Sequence, residues 1–191
     1  SPEMLAFQQK MIADIGGLYA RFAIETSFGG FAQQRSLRCA DFPSFEAAMA
    51  AYLASLKSAS VAHAAVAIAN PVDGDQVRMT NYHWQFSIEE TRVNLGLETL
   101  VVVNDFTALA MALPRLGPQD FRQVGAGQAV KNSVIGLLGS GSGLGVSGLI
   151  PSGDGWTSLG SEGGHTSFAP SDAREAAVLA YMWRHFDHVS F

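Results

Sequence analysis

The run KMIADIGGLYARFAIE, residues 10–25, is apolar on both sides of a Gly-Gly pair and reads as strand, turn, strand. SLRC at 36–39 is a third strand, which completes an antiparallel meander. Phe45, Met49, Leu53 and Leu56 then recur at helical spacing behind Ser44, a candidate N-cap. AAVAIAN (64–70) is a short buried strand stopped by Pro71, and QVRMTN (76–81) is another. Ser87-Ile88-Glu89-Glu90 opens a helix in capping-box style, and Gly96 ends it. TLVVVND (99–105) carries the strongest parallel-strand signal, because its Val run implies burial on both faces. A helix from Phe106 to Leu113 follows, stopped by Pro114. Strands at 133–138, 144–150 and 156–159 come next, then a helix from Asp172 to His188. This order predicts an α/β chain with a mixed sheet and flanking helices. PRLGPQD (114–120) marks a boundary between a small α/β domain, 1–113, and the first part of a second one, 114–191. Segments 11–25 and 133–150 are both strand, Gly-rich turn, strand, so they are candidate equivalents in two related domains.

Composition narrows the function classes. The 191 residues are 48% hydrophobic and 15% charged, which suits a globular chain. Twelve basic against 17 acidic residues give a net charge of -5 with no basic patch, which argues against nucleic-acid binding. One cysteine, Cys39, excludes a disulfide framework and favours the cytoplasm. No apolar run reaches the roughly 18 residues of a membrane helix.

Four stretches carry candidate chemistry. DIGG (14–17) sets Asp14 at a strand end before a glycine turn; it reads either as a phosphate or metal site or as a turn cap. Asn104-Asp105 ends the most buried strand, where open α/β sheets bind ligands, so Asp105 can accept a proton from a hydroxyl or merely cap the next helix. GSGSG (139–143) exceeds the glycine need of a tight hairpin and offers backbone N–H groups to an anion. SEGGH (161–165) places Glu162 and His165 around two glycines, a donor–acceptor set suited to a polyhydroxyl ligand. Metal-ligand spacings, GxSxG and a P-loop are absent from the sequence, and the partial GxGxxG at 139–144 lacks its last glycine. His63, His83, His185 and His188 read as scattered surface or core groups. Phe28, Phe31, Phe42 and Phe45, with Trp84 and Phe86, read as packing.

Together ADIGGLYARFAI (13–24), GDQVRMTNYHWQFSIEE with LVVVNDFTALAMALPRL (74–116), GSGSGLGVSGLI (139–150) and SEGGHTSFAP (161–170) resemble bacterial ATP-dependent glucokinases, of the actin-like (ribonuclease H-like) ATPase superfamily. The tail HFDHVS (185–190) is similar as well. The resemblance implies transfer of a phosphoryl group from ATP, with Mg²⁺, to the 6-hydroxyl of glucose. By motif it implies Asp105 as catalytic base and Asn104, Asp105, Glu162 and His165 as sugar ligands. Asp14 with Gly16, Gly17 and Leu18 corresponds to the first phosphate loop, with Asp14 toward the metal. Gly141, Ser142 and Gly143 correspond to the second. A homodimer is a further implication. Three departures stand out. Leu18-Tyr19 replace the Thr-Asn of D-x-G-G-T-N-x-R. Ser142 stands for a Thr, and Ser161 for a Gly. The chain also stops at Phe191 where the family runs on into the rest of its large domain, so a fragment or truncated relative is expected. Leu18-Tyr19 leave open an alternative: a sugar-binding relative with weak or no transfer.

Overall fold

A computed structural model describes residues 9–26, 30–57, 60–79, 83–141 and 143–191. By packing the chain divides into two compact units, Ser1–Asp105 and Phe106–Phe191. The sequence boundary at 113/114 leaves the helix after Asp105 with the first unit; packing groups that helix with the second.

The first unit is a five-stranded mixed sheet. β1 (Gln9–Ile15), β2 (Tyr19–Glu25) and β3 (Phe31–Arg38) form the antiparallel meander, and β4 (Val61–Ile68) and β7 (Thr99–Asn104) run parallel to β1. The order across the sheet is β3-β2-β1-β4-β7. Side chains alternate across a strand, and on the three parallel strands the buried set alternates: Met11, Ala13 and Ile15 on β1, Ala64, Val66 and Ile68 on β4, Leu100 and Val102 on β7. These pack with Phe45, Met49 and Tyr52 of α1 (Phe45–Ala54) and with Trp84 and Phe86 in one core. The Phe45 ring stacks on Phe86 at 4.2 Å and meets Trp84 edge-on. Phe45→Ala would leave a cavity costing about 3–5 kcal/mol.

Several expectations need correction. The Val run of β7 is parallel as expected, but it is buried on one face only: Val101 is 48% exposed, because the described core lies on one side of the sheet. β3 is twice the length of the segment read as strand. It is an edge strand with almost no buried positions, and Gln33 takes a left-handed φ of 52° within it, so no alternation marks it. Phe31 is exposed and packs in no core, while Phe28 lies outside the described residues. β5 (Gln76–Arg78) ends before Met79; the rest of the expected 76–81, residues 80 and 81, lies outside the described residues, and the partner β6 (Gln85–Ser87) has no three-residue signature to read.

Both caps of the short helix α2 (Ile88–Asn94) follow from sequence. Ser87 Oγ accepts from the Glu90 N–H, and Gly96, at φ +67°, closes the helix with Gly96 N–H to Val93 and Leu97 N–H to Arg92, a Schellman pattern. A second cap comes from elsewhere: Asp75, twelve positions before Ser87, accepts from the Ser87 hydroxyl and from the Glu89 N–H. These bonds, the Ser87 hydroxyl first, hold the Asp75 carboxyl below its ordinary range. A carboxylate with a lowered folded pKa stabilises above its unfolded pKa and loses that contribution as pH falls through the folded one. Asp75→Ala is therefore expected to melt earlier than the unsubstituted protein at pH 7. Scanning calorimetry should show that gap closing as pH falls below about 4. A gap that persists at pH 2 would contradict it.

The second unit carries another antiparallel meander, β8 (Ile135–Ser140), β9 (Leu144–Ser152) and β10 (Gly155–Ser161), in the order β10-β9-β8. It repeats the up-down-up connection of β1–β3. α3 (Asp105–Ala112) leads into it, and α4 (Ala173–Met182) follows. α4 starts where expected, with Asp172 accepting from the Glu175 N–H at 2.8 Å, but it ends six residues short of His188. There the chain turns, and the tail pairs with an earlier loop, Ser190 bridging to Ser167.

Candidate functional site

In the first unit, parallel pairing aligns the carboxyl ends of three neighbouring strands: Ile15 stands beside Ile68, and Ile68 beside Asn104. The DIGG loop and Asn104-Asp105 therefore share one sheet edge, the edge at which ligands bind in such sheets. Asn104 Nδ2 donates to the Asn70 carbonyl at 3.2 Å. Asn70 is buried, and its own amide donates to the Pro71 and Arg78 carbonyls, so it is a fixed anchor. Asp105 is the first residue of α3, where the helix dipole favours a negative charge.

The DIGG loop joins β1 to β2, closed by the Gly16 N–H to Tyr19 carbonyl bond at 2.9 Å. Asp14 pairs with Arg21 directly across the hairpin, Nη1 to Oδ2 at 3.2 Å, and both side chains reach solvent. Leu18 is 77% exposed at the tip. Its carbonyl accepts from the Cys39 N–H at 3.0 Å, and the buried Cys39 thiol donates to the Gly16 carbonyl. Burial pushes that thiol's pKa up, which keeps it protonated as a donor. The sequence reads Cys39 as the end of a strand and as an indicator of compartment, whereas it opens a short 3-10 turn, Cys39–Asp41; its role as a clasp under the loop depends on a contact between distant residues and has no local signature.

Among the described residues no group of three His, Cys, Asp or Glu could hold a metal by itself. Asp14 supplies one solvent-facing carboxylate, of which Oδ2 is paired with Arg21. That fits Mg²⁺, which usually takes one or two protein carboxylates and completes its shell from phosphates and water.

The second unit brings two of the candidate stretches together. Gly141 and Gly143 sit at the β8–β9 turn, joined by the Gly141 N–H to Gly143 carbonyl bond at 2.8 Å; Ser142 lies outside the described residues. A Cβ at Gly141 or Gly143 would meet nothing within 4 Å. Gly139 and Gly145 differ. They face each other across the hairpin, and a Cβ on either would collide with the ring of Phe106. Two of the glycines in this stretch are thus explained by an aromatic ring, and the two at the tip are not explained by packing.

Just beyond, the SEGGH loop packs on β9. Gly164 is buried so tightly that a Cβ there would strike the Leu144 carbonyl, and Gly163 lies against Val146. The glycines let the loop turn with Glu162 and His165 on its outer side, where Glu162 Oε2 stands 3.4 Å from His165 Nε2 and both side chains are largely exposed. His188 Nε2 bonds the His165 carbonyl at 2.7 Å, and the Phe168 N–H donates to the Val189 carbonyl. His188, read as scattered, is a clamp on this loop. Its signal is its place in the tail HFDHVS, which no spacing rule connects to residue 165.

Compared with family profiles, residues 11–191 fit the one described as glucokinase. The bifunctional protein glk of Burkholderia orbicola is 60% identical over 182 residues, 95% of this chain and 28% of that protein. A glucokinase of Chromobacterium violaceum is 50% identical over 181 residues, 95% of this chain and 52% of its own length. Among solved structures, a glucokinase from an Antarctic psychrotroph is 35% identical with a TM-score of 0.81, over 96% of this chain and 59% of that one. The chain therefore spans less than two thirds of each of these relatives.

Proposed function

The chain belongs to the glucokinase family, and on that premise we propose that it forms part of an enzyme that transfers the γ-phosphoryl group of ATP to the 6-hydroxyl of glucose. Asp105 is the general base. It takes the proton of the hydroxyl as the oxygen attacks phosphorus in line, and Asn104, held by Asn70, fixes the sugar beside it. Glu162 and His165 bind further sugar hydroxyls from the rigid turn at Gly163-Gly164. Phosphates lie against two hairpin tips, Gly16-Gly17-Leu18 and Gly141-Ser142-Gly143. The single observation that carries this reading furthest is the tip of the second hairpin, where a Cβ on Gly141 or Gly143 would meet none of the described residues within 4 Å, which leaves room for a close backbone approach to phosphate. Mg²⁺, held through Asp14, supplies neutralisation of phosphate charge when bound.

A second reading has one observation in its favour. Leu18 presents an exposed apolar side chain at the first loop, where the family resemblance implies a phosphate-facing hydroxyl. A protein that binds sugar without transferring phosphate would tolerate that change. Cytoplasmic residence and a homodimer belong to the same proposal. Among the described residues no helix is long and apolar enough to cross a membrane.

Titration calorimetry with a chain of full family length tests the sugar site. Glu162→Ala is expected to weaken glucose binding by about 1–3 kcal/mol, because sugar hydroxyls buried on binding are left without their acceptor. Unchanged affinity would remove Glu162 from the site.

A further inference from the structure

Phe106 follows Asp105 in the first turn of α3, and its ring lies on the backbone of Gly139 and Gly145. These two residues are paired partners of β8 and β9. A Cβ on Gly139 would come within 2.7 Å of the ring, and one on Gly145 closer still, so no other residue fits either position without moving the ring. The next pair toward the tip is Ser140 with Leu144, directly before the turn at Gly141–Gly143. An aromatic ring laid over a glycine pair both fills the gap in the sheet and ties the ring to that strand pair. The ring's own peptide neighbour is the carboxylate residue.

We infer that Phe106 is a positioning residue, which locks the start of α3, and with it Asp105, to the hairpin whose tip takes the phosphate. This rests on the function proposed above. In-line transfer needs the base and the phosphate held in one geometry, and a misplacement of about 1 Å costs up to about 10²-fold in rate. The ring seat lies within the second unit, and it holds the residue that follows the base in the same helix.

The test is a double-mutant cycle in a chain of full family length: Phe106→Leu, Gly145→Ala and the pair together, each checked for a folded melt, with kcat and the KM values for glucose and ATP measured separately. Phe106→Leu is expected to lower kcat on the order of tenfold, with both KM values changed less than about threefold. Gly145→Ala, whose methyl displaces the ring, should lower kcat as well. In the pair the smaller Leu leaves room for the methyl, so kcat should recover above that of Gly145→Ala alone. Brisk transfer by the unsubstituted protein with kcat untouched by Phe106→Leu overturns the positioning role and leaves the proposed function standing. So do losses that simply multiply in the pair. If Gly145→Ala does not fold, Phe106→Leu alone decides. Absence of any transfer by the unsubstituted protein overturns the proposed function, and the positioning role with it.

Discussion

Asp105→Asn is expected to lower turnover at least about 10²-fold in a chain of full family length, the lower range for losing a general base. The substitution keeps the size and shape of the side chain and removes only the ability to take a proton. Asn104 keeps its bond to Asn70, so the sugar should still be held. Asn is also well tolerated at the start of a helix, so α3 should begin at the same residue. The loss therefore belongs in kcat, with KM for glucose close to that of the unsubstituted enzyme, the signature of an interaction made mainly in the transition state. Steady-state kinetics with glucose as the varied substrate reads both. Turnover within a few-fold of normal would reject Asp105 as the base.

The second large effect is a gain. Leu18→Thr should raise ATP-dependent phosphorylation of glucose by up to about 1.5–3 kcal/mol in transition-state terms, the worth of one hydrogen bond to a charged group. The backbone of the loop should not shift, because it is held by groups other than the Leu18 side chain: the Leu18 carbonyl by the Cys39 N–H, and the Gly16 N–H by Tyr19. Leu18 is exposed, so the change removes no core packing. Tyr19→Asn should act in the same direction by clearing bulk at the start of β2. A doubly substituted protein that binds glucose in calorimetry but neither binds ATP nor transfers phosphate would favour the sugar-binding reading. Brisk transfer by the unsubstituted protein, with no gain on substitution, would mean that backbone N–H groups at this loop suffice.

The readable parts of the fold were those with local causes. The caps of α1, α2 and α4 at Ser44, Ser87 and Asp172 are set by residues next to the helix start, and Gly96 ends α2 for a reason written in its own φ. The β1–β2 and β8–β9 hairpins announce themselves by apolar runs around glycines. What could not be read depends on distant partners. β3 is a polar edge strand with a left-handed Gln33, placed by its pairing with β2 and by the Tyr52 hydroxyl, which donates to the Gln33 carbonyl. β7 looks like a doubly buried strand because Val suits both faces, yet the core described here covers one. At the site, the chemistry-bearing residues were legible as motifs, whereas their supports were not. Cys39 under the first loop, Asn70 behind Asn104, Phe106 on Gly139 and Gly145, and His188 behind His165 all act across gaps in sequence that no periodicity spans. The glycine-rich stretch 139–145 shows the difference most clearly. One reason for its glycines, the open tip, follows from the type of residue alone, and the other, the seat for a ring, needs the fold.

The most direct measurement of the account is the destination of the phosphoryl group. A chain of full family length is incubated with ATP labelled in its γ-phosphate and either glucose or 6-deoxyglucose, and the sugar products are identified. Label is expected on the 6-oxygen of glucose and none on 6-deoxyglucose, which lacks the hydroxyl that Asp105 would deprotonate. Glucose that binds and stays unlabelled, or 6-deoxyglucose labelled as readily as glucose, would contradict it.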